Sequence, residues 1–188
     1  MVNAWRDEFL HYSNVDIFEK SIFNITADAI VSPANSFGIM DGGLDGKLRD
    51  YFGKDIEEKV RSRIRDEYHG ELPVGNAITI RTNHNKFKFL ISAPTMRVPE
   101  NIATTQNAYL AMRAILIECL NNNFNSVAIP GLGALSGQMS YNVVARQMRV
   151  AYDKIINRSI IYTHWREEKE LQIYMKCEMN HLPYDYEK

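Results

Sequence analysis

The chain has 188 residues, enough for one domain with a sizeable core, and its 45% hydrophobic and 24% charged content is that of a globular protein. Twenty-two basic against twenty-three acidic residues leave a formal charge of −1, which removes the electrostatic case for nonspecific nucleic-acid binding. Two distant cysteines, five scattered histidines with no i, i+4 pair and no apolar run of membrane-spanning length speak against a disulfide framework, a metal site and a membrane anchor.

Residues 1–8 lack the apolar core of a signal peptide, so a reducing, cytoplasmic setting is expected, in the host cytoplasm if the chain is phage-encoded. A first strand-like pattern spans 8–12 and a second 28–33, where Ala29, Ile30 and Val31 form the apolar run of an interior strand. That run enters a loop containing Gly42, Gly43 and Gly46, and a helical pattern follows over 43–66. Glycines at a helix N-terminus let backbone N–H groups reach an anion, while a plain turn is the competing reading. Asn35 and Asp45 bracket the loop: an amide suits a sugar hydroxyl, and a carboxylate beside a phosphate is repelled unless it serves a hydroxyl or a water. The loop is not a P-loop, because Gly46-Lys47 is followed by Leu48 and the position five before Gly46 is Asp41.

Lys54 to Tyr68 carries charges of both signs, as on a solvated helix face. Strand patterns at 76–82 and 87–93 flank Asn83-His-Asn-Lys-Phe, a hairpin-type connection. A broad apolar face within 103–122 predicts a helix packed on a sheet and buries Cys119 as a reduced thiol. A short strand at 126–130 then enters Gly131, Gly133 and Gly137, a second glycine loop, before a helical pattern at 140–157. Two anion-cradling loops suggest a diphosphate. The spacing Gly131-x-Gly133-x-x-x-Gly137 is one residue too long for the dinucleotide fingerprint. No Gly-x-Ser-x-Gly elbow is present, so nucleophilic catalysis has little support. Strands separated by helices give an α/β fold, a mixed, largely parallel central sheet with helices on both faces. Trp165 to Met175 is expected as a short helix capping that sheet, ahead of a polar, aromatic end from His181 to Lys188.

At these residues the chain resembles the macro domain family of ADP-ribose binders and ADP-ribose-processing hydrolases. Asp28-Ala-Ile-Val-Ser-Pro-Ala-Asn35 resembles the family's D-A-I-V-N-A-A-N, and Gly42-Gly-Leu-Asp-Gly46 its G-G-V-D-G loop. Asn14-Val-Asp16-Ile17 stands where the family has G-D-I, Leu72-Pro-Val-Gly75-Asn-Ala-Ile78 resembles its P-x-G-x-A-x strand entry, and Ile129 to Gly137 resembles its second loop. Ser32 and Pro33 depart from the strand-end pattern. Leu135 replaces a glycine, where its side chain is expected to narrow the loop, and Ser136 and Gly137 stand where an aromatic often follows. The stretch from Val31 to Gly38, with Met40 to Gly43 and Pro130 to Gly133, looks more like a phage-associated branch than the cellular ones.

The resemblance covers about residues 8–157 and implies one macro-like, three-layer α/β/α domain over 1–188, with a C-terminal extension at 158–188. It implies that Asp16, with Ile17, receives the adenine, and that Gly42, Gly43, Leu44, Gly133, Ala134, Leu135, Ser136 and Gly137 hold the phosphates. Asn35 would hold the distal ribose, and Asp45 would orient a water or hydroxyl at the anomeric carbon. Asn35 and Asp45 are thus the catalytic candidates, with no cofactor or metal. The partner is ADP-ribose or an ADP-ribosylated protein, and hydrolysis of ADP-ribose from mono-ADP-ribosylated substrates is the leading activity. A non-catalytic reader and an ADP-ribose 1″-phosphate phosphatase are the alternatives.

Overall fold

Strand β1, Ala29–Ser32, is buried along its whole length, as a strand must be when parallel neighbours and helices cover both of its faces. The computed structural model describes residues 1–160 and 164–177, and places β1 inside a four-stranded sheet of order β2-β3-β1-β4. Strands β3, Phe89–Ser92, and β4, Val127–Ala128, both run parallel to β1, with Ala29 opposite Phe89 on one side and Val127 on the other. Strand β2, Ile78–Arg81, runs antiparallel to β3 as the edge of the sheet, and Asn83 at φ 61 turns the hairpin between them.

Alternation along the strands divides the core. Ala29, Val31 and Ile91 face one apolar cluster, built with helices α1, Val2–Glu8, α4, Asn107–Asn121, and α5, Tyr141–Tyr152. Ile30, Leu90, Ile78 and Ile80 face the other, built with α2, Gly43–Phe52, and α3, Asp55–Tyr68. The result is the expected three-layer arrangement, a mixed and mostly parallel sheet between helices. On α3 the apolar stripe Ile56, Val60 and Ile64 is buried, and Lys59–Asp55 and Arg63–Glu67 pairs line the outer side at i, i+4 spacing.

Three expectations are corrected. The pattern at 43–66 is two helices: the chain turns at Gly53, φ 97, whose N–H closes on Arg49 O at 2.9 Å. No strand forms at 8–12. The Phe9 N–H bonds Trp5 O and the Tyr12 N–H bonds Phe9 O, a turn that brings the two rings edge to face at 5.2 Å. Their three-residue separation places both aromatics on one side of a turn, where a strand would alternate them less favourably. Third, helix α6, Trp165–Lys176, packs Leu171 and Met175 against Val150 of α5, so it covers a helix and not the sheet. His164 caps α6, its Nδ1 accepting from the Arg166 N–H at 3.1 Å. Residues 181–188, read as a polar aromatic end, lie outside the described residues. Among the described residues no helix is long and apolar enough to cross a membrane.

Candidate functional site

Because β1, β3 and β4 are parallel, their carboxyl ends open on one edge of the sheet, and three loops leave that edge together. In open α/β sheets this is where ligands bind. The first loop runs from Pro33 to Gly42 and ends in α2. Gly42, in extended conformation, is the N-cap, and no side chain caps the helix. The first helical bond is Gly46 N–H to Gly42 O at 2.9 Å, so the N–H groups of Gly43, Leu44 and Asp45 have no partner among the described residues. A Cβ built on Gly42 or Gly43 would meet nothing within 4 Å. These glycines therefore face open space.

The second loop differs. Backbone N–H groups of residues 133–137 also lack partners among the described residues, while their carbonyls close the loop: Gly133 O accepts from Met139 N–H at 3.2 Å, and Gly137 O from Ile102 N–H at 2.9 Å. Its glycines are demanded from beneath. A Cβ on Gly137 would lie 2.5 Å from Ile102 Cγ1 and 2.6 Å from Gly133 O, and one on Gly133 2.7 Å from Ile102 Cδ1. Ile102 belongs to the third loop, after β3, which is tied to α4 by Asn107 Nδ2 donating to Thr95 O at 2.8 Å. Leu135 is 81% exposed, its side chain open to solvent. Ala134 is half-buried and Ser136 exposed.

Asn35 turns its amide onto its own loop. Oδ1 accepts from the N–H groups of Phe37 and Ile39 at 3.1 and 3.3 Å, and Nδ2 donates to Ile39 O at 2.8 Å. One amide hydrogen remains for a ligand. Its backbone pairs with Met96, joining the first and third loops.

Asp45, in the first turn of α2, is partly buried and receives a 2.5 Å hydrogen bond from Ser32 Oγ at the end of β1. Burial pushes its carboxyl up to about 6; the Ser32 hydroxyl pulls it down, and the charge of Asp41 raises it further. Asp45 is thus a carboxylate that titrates near neutrality at the mouth of an uncapped helix, a combination suited to proton transfer or to orienting a water. Asp28, despite its place in the motif, is structural: Oδ2 accepts from the N–H groups of Asn125 and Ser126 at the opposite end of the sheet.

Asp16 is exposed, and no hydrogen bond engages it among the described residues. Its neighbour Ile17 packs on the apolar cluster that contains Leu132 and Met139, which flank the second loop. The structure thus joins Asn35, Asp45 and both glycine loops on one edge, while the segment carrying Asp16 is placed only by Ile17 packing on the large apolar cluster beneath the second loop. Sequence reasoning passed over Ile102, Met96 and the role of Ser32. Pro94 and Pro99 directly after the β3 pattern marked the third loop, but apolar residues within a loop carry no signal of what they support.

A family model described as Macro domain matches residues 31–148, more than half of the chain. An uncharacterized protein of Aquifex aeolicus (strain VF5) is 34% identical over 135 residues, covering 72% of this chain and 78% of its own. Among solved structures, the macrodomain of Mycobacterium tuberculosis DarG superposes with a TM-score of 0.64 at 17% identity, over 73% of this chain and 88% of that one. A variant of the Oceanobacillus iheyensis macrodomain, solved with ADPR, gives a TM-score of 0.64 at 18% identity, over 72% of this chain and 74% of that one. The chain belongs to the macro domain family.

Proposed function

We propose that the protein binds ADP-ribose at the carboxyl edge of its sheet and hydrolyses the bond joining ADP-ribose to a modified protein. The observation that carries the binding is the pair of loops with unclaimed backbone N–H groups, 43–45 and 133–137, leaving neighbouring parallel strands. A diphosphate fills both, with the dipole of α2 favouring its charge. The Oceanobacillus relative solved with ADPR supports the choice of ligand. Asp16 takes the adenine amino group, and the remaining hydrogen of the Asn35 amide takes a hydroxyl of the distal ribose.

Asp45 favours hydrolysis over reading alone. A carboxylate next to a diphosphate is costly unless it works there, and one held near neutrality by burial can orient a water and draw off its proton. The chain acts as one macro domain, with an extension after residue 157 whose helix α6 packs on α5.

Calorimetry with ADP-ribose in chelator, followed by product analysis on a mono-ADP-ribosylated protein, tests both parts. Binding without metal, release of free ADP-ribose, and an Asp45→Ala variant that binds within about tenfold but turns over at least about 10²-fold more slowly are expected. Absence of heat defeats the binding. Release of inorganic phosphate from ADP-ribose 1″-phosphate, or tight binding with no product, replaces hydrolysis by a phosphatase or a reader.

A further inference from the structure

The bond between Ser32 and Asp45 joins two elements that otherwise meet only through packing. Ser32 is the last residue of β1, 1% exposed, and in register with Ser92 at the end of β3. A side chain so enclosed has its rotamer fixed by its surroundings. Its hydroxyl has one hydrogen to give, and Asp45 Oδ1, 2.5 Å away on the first turn of α2, takes it. Oδ2 has no hydrogen-bond partner among the described residues. The carboxylate is therefore pinned by one oxygen and free at the other, beside the uncapped helix start.

We propose that Ser32 is a positioning residue for the reaction: its hydroxyl clamps one oxygen of the Asp45 carboxylate so that the other is presented, in ionised form, to the reacting water. This rests on the hydrolase reading above. The groups acting on the ionisation of Asp45 are Ser32 from β1 and Asp41 from the preceding loop, and they oppose each other. The hydroxyl favours the carboxylate, whereas Asp41 and burial favour the acid. Without Ser32 both remaining influences act in one direction, so the fraction ready to accept a proton at neutral pH falls.

The test compares wild type, Ser32→Ala and Ser32→Thr in the full chain, with thermal melts to establish folding. Carbon-13 NMR titration of the Asp45 carboxyl in the free protein should show its midpoint raised by about one pH unit in Ser32→Ala, the size expected for one hydrogen bond to a charged group. On a mono-ADP-ribosylated protein, kcat should fall about tenfold with KM within about threefold, and the acidic limb of the kcat/KM profile should move up with the midpoint. Ser32→Thr should restore both. An unmoved midpoint, or a pH profile unmoved in an active Ser32→Ala protein, overturns the proposal and leaves the hydrolase reading intact. Absence of turnover in the wild type removes that reading, and the role of Ser32 with it. Should Ser32→Thr fail to fold, the Asp45 midpoint in Ser32→Ala decides.

Discussion

A carboxyl held near 6 leaves a mark on stability as well as on chemistry. Asp45 binds its proton more tightly in the folded protein than in the unfolded chain, so its contribution favours folding at low pH and is lost as pH rises through about 6. Asp45→Asn keeps an oxygen to accept from Ser32 and removes the charge. It should raise Tm by a few degrees at pH 8 relative to wild type and bring no gain below about pH 4, as followed by calorimetric melts across that range. A gain independent of pH would mean that the carboxyl is not strained by its surroundings. The motif around Asn35 and Asp45 was legible in the sequence because its residue types are chemically distinctive. What Asn35 does with its amide was not. An Asn followed at two and four residues by available N–H groups braces its own loop, and this depends on a backbone path that residue identity does not specify.

At the scale of elements, the glycines that look alike in sequence separate into two kinds. Gly42 opens onto space, whereas Gly137 is crowded by Ile102 and the Gly133 carbonyl. Gly42→Ala should cost under about 1 kcal/mol of stability and yet, on the proposed binding mode, weaken ADP-ribose by tenfold or more, because the added methyl would enter the open space assigned to the diphosphate. Gly137→Ala should cost about 1–3 kcal/mol by overpacking, and affinity should fall with stability. Thermal melts and calorimetry on both variants distinguish space kept for a ligand from space kept for a side chain; equal stability loss in the two would contradict this. Four strands and the helices at 103–122 and 140–157 followed from hydrophobic periodicity alone. The single pattern at 43–66 concealed a break at Gly53, since an amphipathic stripe resumes at Ile56 on the same side of the sheet. The failed strand at 8–12 shows a short apolar run read with the wrong period.

Across the whole molecule, one side chain links segments from both ends of the chain. Arg149 Nε lies 2.7 Å from Glu8 on α1, Nη1 2.7 Å from Asp153 after α5, and Nη2 donates to the Tyr174 hydroxyl of α6 at 3.0 Å, while the Tyr12 hydroxyl donates to Asp153. The sequence offers no hint of it, because its directly bonded pairs are separated by up to 141 positions. Removing Arg149 from this largely buried network leaves Glu8 beside Arg146 and Asp153 with the Tyr12 hydroxyl and the Asn157 amide, but takes from both carboxylates the guanidinium they share. Arg149→Ala should therefore cost about 3 kcal/mol, roughly 6–12 °C in Tm, and loosen α6. A loss under 1 kcal/mol would show that the network is solvated.

The cradle at 43–45 and 133–137 is written in main chain, and this bears on how the protein can change. Side-chain scanning will under-report such a site, since Leu44, Ala134, Leu135 and Ser136 lend it only their peptide groups. Leu44 and Ala134 pack on the core, but the exposed Leu135 and Ser136 can vary, and with them the outer rim that a modified partner would meet, while the proposed anion cradle stays intact. On the proposed function, recognition of the nucleotide and choice of the partner are then separately heritable traits.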